Sequence, residues 1–346
     1  MIWSEVNKVL QAACNRPRSY VLATMVRTKG SSYRKQGACM LVGEDGSAVG
    51  AVSGGCIEKE VIRRSCEVFS TGKPTLVEYD GRYRLGCDGT VYILIEPFDL
   101  KKNEDFWNHY FKAFEQRKPW KMISRFKGEV LGSAFQFDNG KVFPISDQNL
   151  ASSFSVLGGD QEGVFVGKIQ PSSQLYIIGN EWDAFKLAKI AVEAEFQVTL
   201  IGHPQHPLPA VLQDGYAVKN VSPADLLLEI QINDQTAIVL MTHSYSRDLS
   251  YLLHLLQLDH VAYLGLLGPK KRKESLLSES LEHLERLPSW LRESLKGPTG
   301  LDIGAELPGE IAVSILAEIL SVLSGHPGTP LVDKKTNIHD KVHMDG

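Results

Sequence analysis

Gln174-Leu175-Tyr176-Ile177-Ile178-Gly179-Asn180-Glu181-Trp182-Asp183-Ala184 is the stretch that decides the fold class. A short apolar run closed by glycine reads as a strand buried on both faces. The segment that follows, residues 184–194, reads as a helix. Further along, the same alternation returns. Residues 197–201, 236–241 and 261–266 are short apolar strands, and residues 223–230 and 247–258 are helical. This rhythm predicts a parallel sheet with helices on both faces, the doubly wound type. A last helix is expected over 308–323. Pro308 suits its first turn, and its apolar residues run almost all round it, so it is expected to be buried.

Toward the N-terminus the pattern changes to α+β. Val6, Val9, Leu10 and Ala13 recur at helical spacing. Residues 20–28 read as a strand, and 38–42 and 48–52 as paired strands around Glu44-Asp45-Gly46. A helix over 57–69 has Ile57, Val61, Cys66 and Val68 as inner-face candidates, and strands follow at 75–79 and 90–96. The middle of the chain opens with an aromatic-rich helix and continues as short strands with glycine turns. It reads as linker and meander, ending at the hinge Pro171-Ser172-Ser173. The expected division is an N-terminal domain over 1–100, a linker region over 101–172, a doubly wound domain over 173–330 and a tail over 331–346.

Bulk properties fit this division. At about 150 residues per domain, 346 residues make two domains, and the 43% hydrophobic and 23% charged content is that of a globular chain. A net charge of -4 argues against a general nucleic-acid binder, and Lys270-Lys271-Arg272-Lys273 reads as a solvated helix face. The first residues lack a basic segment followed by an apolar one, so no secretory leader is expected. No apolar run is long enough to span a bilayer, so no membrane association is expected. Five cysteines, odd in number and irregular in spacing, do not form a disulfide framework. They place the protein in the reducing cytoplasm with free thiols.

Three polar, glycine-bearing loops carry the candidate chemistry. Ser53-Gly54-Gly55-Cys56-Ile57-Glu58 runs from a strand into a helix. Its glycines allow close backbone approach, and the N–H groups of a helix start favour an anion such as a phosphate. There the helix dipole lowers the pKa of Cys56 and favours the thiolate, suited to carrying sulfur, holding a soft metal or acting as a nucleophile. Arg84-Leu85-Gly86-Cys87-Asp88-Gly89 repeats the theme. Lys29-Gly30-Ser31-Ser32-Tyr33-Arg34 offers Lys29 and Arg34 as phosphate partners. Cys14, Cys39 and Cys66 read as small buried hydrophobes. No C-x-x-C pair exists, which argues against zinc.

These residues resemble a known family. Gly30-Ser31-Ser32 with Arg34 and Gly37-Ala38, then Ser53-Gly54-Gly55-Cys56 with Glu58, then Leu85-Gly86-Cys87, are similar in order and spacing to the N-terminal domain of the XdhC/CoxI family. The second half carries the resemblance further, through Met241-Thr242-His243 with Asp248, Gly265-Leu266-Leu267-Gly268, Gly300-Leu301-Asp302 and the helix with Glu310. The resemblance implies an XdhC/CoxI-type α+β domain followed by a Rossmann-like doubly wound sheet. It implies an accessory protein, a maturation chaperone rather than a turnover enzyme. Such a protein binds molybdenum cofactor (molybdopterin) and assists its sulfuration and its insertion into a xanthine dehydrogenase-type molybdenum hydroxylase. A cysteine desulfurase is then a further partner, and a homodimer is compatible with a dimeric client. Cys56 and Cys87 become the metal ligands or sulfur carriers. Gly30, Ser31, Ser32, Arg34, Ser53, Gly54, Gly55, Glu58 and Gly86 become cofactor contacts.

The second half departs from a dinucleotide site at two points. The family's G-x-G-x-x-A-type turn is here Gly179-Asn180-Glu181-Trp182-Asp183-Ala184, with Glu181 in place of the second glycine. The next strand ends at Ile201-Gly202-His203, without the acid that would hold a ribose. Both departures argue against NAD(P), although the fold class by itself suggests an NAD(P)-dependent oxidoreductase as the alternative function. The remaining candidates are Thr242, His243 and Gly268 at the strand ends, with Glu310. Thr242 and His243 read equally as helix-start or core residues. Glu310, Ser314 and Glu318 share one helix face, where they line a pocket or pair with the loop 300–305. A thiol hydrolase built on Cys56 lacks a paired histidine in the N-terminal domain.

Overall fold

A computed structural model describes residues 3–15, 18–30, 32, 34–55, 57–80, 89–146, 154, 161–208, 215–284 and 286–335. The chain divides into two units, residues 1–171 and 172–346.

The first unit is built on two antiparallel sheets. Helix α1 (Trp3–Asn15) leads into β1 (Tyr20–Lys29), β2 (Cys39–Gly43) and β3 (Ala48–Gly50). Helix α2 (Glu58–Thr71), β4 (Thr75–Asp80) and β5 (Thr90–Pro97) complete a sheet of order β3-β2-β1-β5-β4. Side chains alternate between its faces, as a pleated strand requires. Val21, Ala23 and Met25 of β1 join Ile93 and Ile95 of β5 beneath Val61 and Val68 of α2. Leu22 and Leu41 on the other face join Val6, Val9 and Leu10 of α1. Between Met25 and Arg27 the β1–β5 register shifts by a bulge that leaves Val26 unpaired.

Residues 101–172, which read as linker and meander, contribute to this same core. Helix α3 (Glu104–Glu115) is followed by β6 (Trp120–Arg125), β7 (Gly132–Gln136), β8 (Val142–Pro144) and β9 (Val164–Ile169), in the order β8-β7-β6-β9. Phe106 and Tyr110 of α3, Trp120 and Met122 of β6 and Phe135 of β7 belong to one apolar cluster with α1. The aromatic helix has large side chains to bury, which a solvated linker cannot do.

The second unit is the doubly wound sheet. Its strands are β10 (Gln174–Ile178), β11 (Gln197–Gly202), β12 (Ala217–Asn220), β13 (Thr236–Leu240), β14 (Tyr263–Leu266) and β15 (Leu295–Lys296). All pairings are parallel, in the order β12-β11-β10-β13-β14-β15. Helices α4 (Trp182–Glu193) and α7 (Pro308–Ser324) cover Leu175, Ile177 and Val239 on one face. Helix α5 (Tyr245–Leu255) and α6 (Lys270–His283) cover Tyr176, Ile178, Ile238 and Leu240 on the other. The order reverses between β10 and β13, and ligands of such sheets bind at the C-terminal ends of the strands flanking that reversal.

Three local expectations are corrected. Helix α7 is not buried all round, since Val313 and Leu320 stand 47% and 44% exposed. On α2 the buried positions are Val61, Ser65 and Val68, and Cys66 points outward. Counting from Val61, the helical period falls on Ser65 rather than its neighbour. Cys14 is likewise exposed, while Cys39 is buried as expected. No helix among the described residues is long and apolar enough to cross a membrane.

Candidate functional site

The register of the first sheet gathers the three candidate loops. Lys29 at the end of β1 pairs with Thr90 at the start of β5, and Thr90 pairs with Asp80 at the end of β4. Cys39 at the start of β2 pairs with Thr24, and Gly50 at the end of β3 pairs with Met40. The connections over 30–38, 51–57 and 81–89 are therefore all anchored at one end of one sheet. Ser31, Cys56, Gly86 and Cys87 themselves lie outside the described residues. Among those described, no group of three or more His, Cys, Asp and Glu side chains is arranged to hold a metal ion.

The loop before α2 is held by Glu58. Its carboxylate accepts hydrogen bonds from the Ser53 N–H at 2.7 Å, the Ser53 hydroxyl at 2.6 Å and the Ile57 N–H at 3.2 Å. Ser53 Oγ in turn accepts from the N–H groups of Gly55 and Ile57. Burial pushes the Glu58 carboxyl up, but the hydrogen bonds from Ser53, from its own N–H and from Ile57 outweigh it and hold the pKa below the ordinary glutamate value. Of the N–H groups that the sequence leaves to an external anion, those of Ser53, Gly55 and Ile57 are thus held by internal acceptors. Gly54 and Gly55 are exposed. Gly55 adopts φ +111°, and a Cβ there would meet nothing within 4 Å. The positive φ explains the glycine, and the space beside it is open.

The neighbouring loop is tied inward. Arg34 pairs with Glu5 of α1, and Ser32 Oγ donates to the Arg34 carbonyl at 2.9 Å. Arg34 is therefore engaged, while Lys29 is exposed beside Gly30. Lys29 and Arg27 lie over the ring of Tyr92, at 5.4 and 5.9 Å from its centroid.

A residue that the sequence pattern does not single out lies deeper. Glu96 of β5 is fully buried, and its Oε2 accepts from the Ser133 N–H at 2.9 Å. Its Oε1 has no hydrogen-bond partner among the described residues. Burial pushes its pKa up to about 7, against the pull of Ser133 and Ser146.

In the second unit the four candidates separate. Thr242 is buried, and its hydroxyl donates to Asp248 at 2.6 Å. Asp248, also buried, is paired with Arg272 at 2.6 Å. The space beside Gly268 is filled by that arginine, since a Cβ on Gly268 would lie 2.8 Å from Arg272 Cδ. Glu310 accepts from the N–H groups of Glu306 and Leu307 and so caps α7. On the same helix Ser314 donates to the Leu301 carbonyl at 2.6 Å, and Glu318 accepts from the Gly300 N–H at 2.9 Å and from Tyr263 at 2.6 Å. This face pairs with the loop.

His243 differs from the other three. It lies at the reversal point, half exposed, with Nε2 2.7 Å from Oδ2 of Asp183 on the first turn of α4. Its φ is +55°, in the left-handed region. Asp183 is the partner that the sequence does not assign. The two residues are far apart in the chain and meet only because β10 and β13 are adjacent. Across this point, a Cβ on Gly179 would meet the Met241 carbonyl oxygen at 2.5 Å. Close packing of two strand ends, rather than a ligand phosphate, accounts for that glycine.

Comparison with known proteins agrees with this architecture. Residues 175–319 match the family model described as the XdhC Rossmann domain, and residues 13–80 match that of the XdhC and CoxI family. The chain is 31% identical over 329 residues to a probable xanthine dehydrogenase subunit of Bacillus subtilis, covering 90% of this chain and 96% of that one. It is 26% identical to the molybdenum cofactor insertion chaperone PaoD of Escherichia coli, over 87% of this chain and 83% of that one. A crystal structure described as a xanthine dehydrogenase from Bacillus halodurans superposes with a TM-score of 0.75 at 28% identity, covering 94% of this chain and 97% of that one. Loop motifs, doubly wound sheet and relatives agree, and the chain belongs to the XdhC and CoxI family.

Proposed function

We propose that this protein is an accessory factor that binds molybdenum cofactor and assists its sulfuration and its insertion into a xanthine dehydrogenase-type molybdenum hydroxylase. The observation that carries the reading is the convergence of three glycine-bearing loops at one end of the first sheet. Two of these loops carry Cys56 and Cys87. Soft thiolates suit molybdenum and can carry sulfur, so these two cysteines are the residues to hold the metal. A cysteine desulfurase is the sulfur donor that such a step requires. The relatives named for xanthine dehydrogenase and for molybdenum cofactor insertion support the same reading.

The fit to the cofactor's phosphate is narrower than the motif suggests. Glu58 and Ser53 occupy the helix start, so the phosphate is not assigned there. Lys29, exposed beside Gly30 at the same end of the sheet, is a cation suited to receive it. The test is purification of the full chain from a host that makes molybdopterin, followed by metal and pterin analysis. Wild-type protein is expected to carry both. Cys56→Ala is expected to lose both while keeping its melting temperature. Equal cofactor content in wild type and variant would remove Cys56 from the site.

A further inference from the structure

Two acids are buried among the described residues, Glu96 and Asp248. Asp248 has its counter-charge in Arg272, whereas the partners of Glu96 are Ser133 and Ser146. Side-chain alternation shows where Glu96 lies. Two apolar clusters join the sheets of the first unit, one containing Leu22 and Met122 and the other Val26 and Phe126. On β1, Thr24 stands between Leu22 and Val26. Along β5, Glu96 stands between Leu94 of the second cluster and Phe98 of the first. From the other sheet, Ser124 stands between Met122 and Phe126, and Ser133 between Leu131 and Phe135. These four polar residues are at most 1% exposed and form one layer between the two clusters.

Within the layer the hydrogen bonds do not close. Ser133 donates its N–H to Glu96 Oε2 at 2.9 Å and its hydroxyl to Ser124 Oγ at 2.8 Å. Thr24 Oγ1 and Glu96 Oε1 have no partner among the described residues, and so do not bond each other. The strand register nevertheless makes them neighbours. Leu22 pairs with Glu96 and Thr24 with Leu94, so Thr24 and Glu96 are diagonal on one face, where Cβ atoms lie about 7 Å apart. An unpaired buried oxygen is costly, and a buried charge is normally paired or holds a metal ion. Two such oxygens here face the same layer.

We infer that the layer between the two sheets of the first unit binds one alkali cation, held by Glu96 Oε1 and Thr24 Oγ1. The donor set fixes the class of ion. Carboxylate and hydroxyl oxygens suit hard cations, and Ser124 and Ser133 bring further hydroxyl lone pairs to the layer. One carboxylate supplies one negative charge, so a univalent ion leaves the buried site neutral, whereas a divalent ion leaves it charged. Cys39 lies opposite Thr24 on β2, but burial pushes its thiol pKa up to about 12, so no thiolate is offered to a softer metal. An ion on the order of 2.5 Å from each oxygen joins a pair that does not hydrogen-bond directly. Sodium and potassium share this chemistry and are separate arms of the test. No residue of the loop site takes part, so this inference and the loop reading stand or fall separately.

Equilibrium unfolding of the full chain in urea tests the assignment, because unfolding opens the layer and lets ions exchange. Sodium, potassium and choline chlorides are compared at equal ionic strength and at pH 8, above the Glu96 pKa of about 7. One of the two alkali ions is expected to raise the wild-type midpoint above its value in choline, and which one does so identifies the ion. Above the dissociation constant, each tenfold rise in that ion is expected to multiply the folding constant about tenfold, the slope for one bound ion. Glu96→Gln is expected to have the same midpoint in all three salts. In choline it is expected to be more stable than wild type, since the carboxylate is then bare, and in the binding ion that gap narrows. Thr24→Val removes the unpaired hydroxyl at nearly constant shape. It is expected to be more stable than wild type in choline, and to need about tenfold more ion for the same gain. Equal wild-type midpoints in the three salts would mean that water alone fills the layer, and would overturn the inference. An alkali effect that persists undiminished in both variants would do the same.

Discussion

Glu96 is a carboxyl enclosed by the first unit with no charged partner among the described residues. The partners it has are hydroxyls and one backbone N–H, and among the described residues one of its oxygens is unpaired. Its pKa is raised to about 7 from the ordinary 4.5, with burial as the main cause. A raised carboxyl binds its proton more tightly in the folded state. Its penalty is therefore absent below about pH 4.5, grows as pH rises through the folded pKa and is complete above it. The full cost is about 3 kcal/mol, by the free energy of a pKa difference. Glu96→Gln is expected to be more stable than wild type at pH 8 and to match it near pH 4, as read by denaturant midpoints at both pH values. Parallel pH profiles for the two proteins would show that Glu96 does not titrate in this range. Nothing in the local sequence marks this residue. Thr90-Val91-Tyr92-Ile93-Leu94-Ile95-Glu96 reads as a strand ending in a solvated acid, and only the second sheet, packed over it, makes the acid costly.

Among the elements, α7 shows how a polar stripe on an apolar helix is ambiguous in sequence and decided by packing. Spacing gives the shared face of Glu310, Ser314 and Glu318, but not what stands opposite. In the fold, Glu318 holds both the Gly300 N–H and the buried Tyr263 hydroxyl. Burial and the adjacent Glu318 push the Tyr263 hydroxyl pKa far up, so it stays a proton donor. Glu318→Ala takes the acceptor from the Gly300 N–H and leaves Tyr263 with Thr299 Oγ1 as its partner, and is expected to cost about 1–2 kcal/mol in chemical denaturation. A loss within experimental error would mean that Thr299 and water take over both donors. The doubly wound strands themselves are legible because strands buried on both faces appear as unbroken apolar runs. The edge strands β12, with Lys219 and Asn220, and β15, of two residues, have no such run and escape a reading by pattern. The short strands β6, β7 and β9 carry glycine, serine or lysine among their apolar residues, and β9 returns to pair with β6 from far along the chain, although β6–β7 and β7–β8 are local pairs. In the loop before α2 the motif is visible, while the return of the Glu58 carboxylate onto Ser53 requires the turn itself.

For the molecule as a whole, the apolar clusters respect the division of the chain. Those of the first unit draw on residues up to Ile169, and those of the second begin at Leu175. Independent cores predict independent melting. Leu252 is fully buried in the second unit. Leu252→Ala is expected to destabilise by about 2–5 kcal/mol and to lower one of two calorimetric transitions while leaving the other in place. A single transition that moves as a whole would show the two cores melting together.

The bulge in β1 sets the phase of everything beyond it. Up to Met25 the odd-numbered residues of β1 face α2; past the unpaired Val26, Arg27 pairs with Tyr92 and Lys29 with Thr90. The extra residue is a half-turn inserted into a two-residue repeat. It brings Arg27 and Lys29 onto the Tyr92 side and sends Thr28, opposite Val91, to the helix side. Were Val26 paired with Tyr92 in a regular ladder, Arg27 would fall opposite Val91, Lys29 and Thr28 would exchange faces, and the chain would leave the strand at Gly30 from the other face of the sheet.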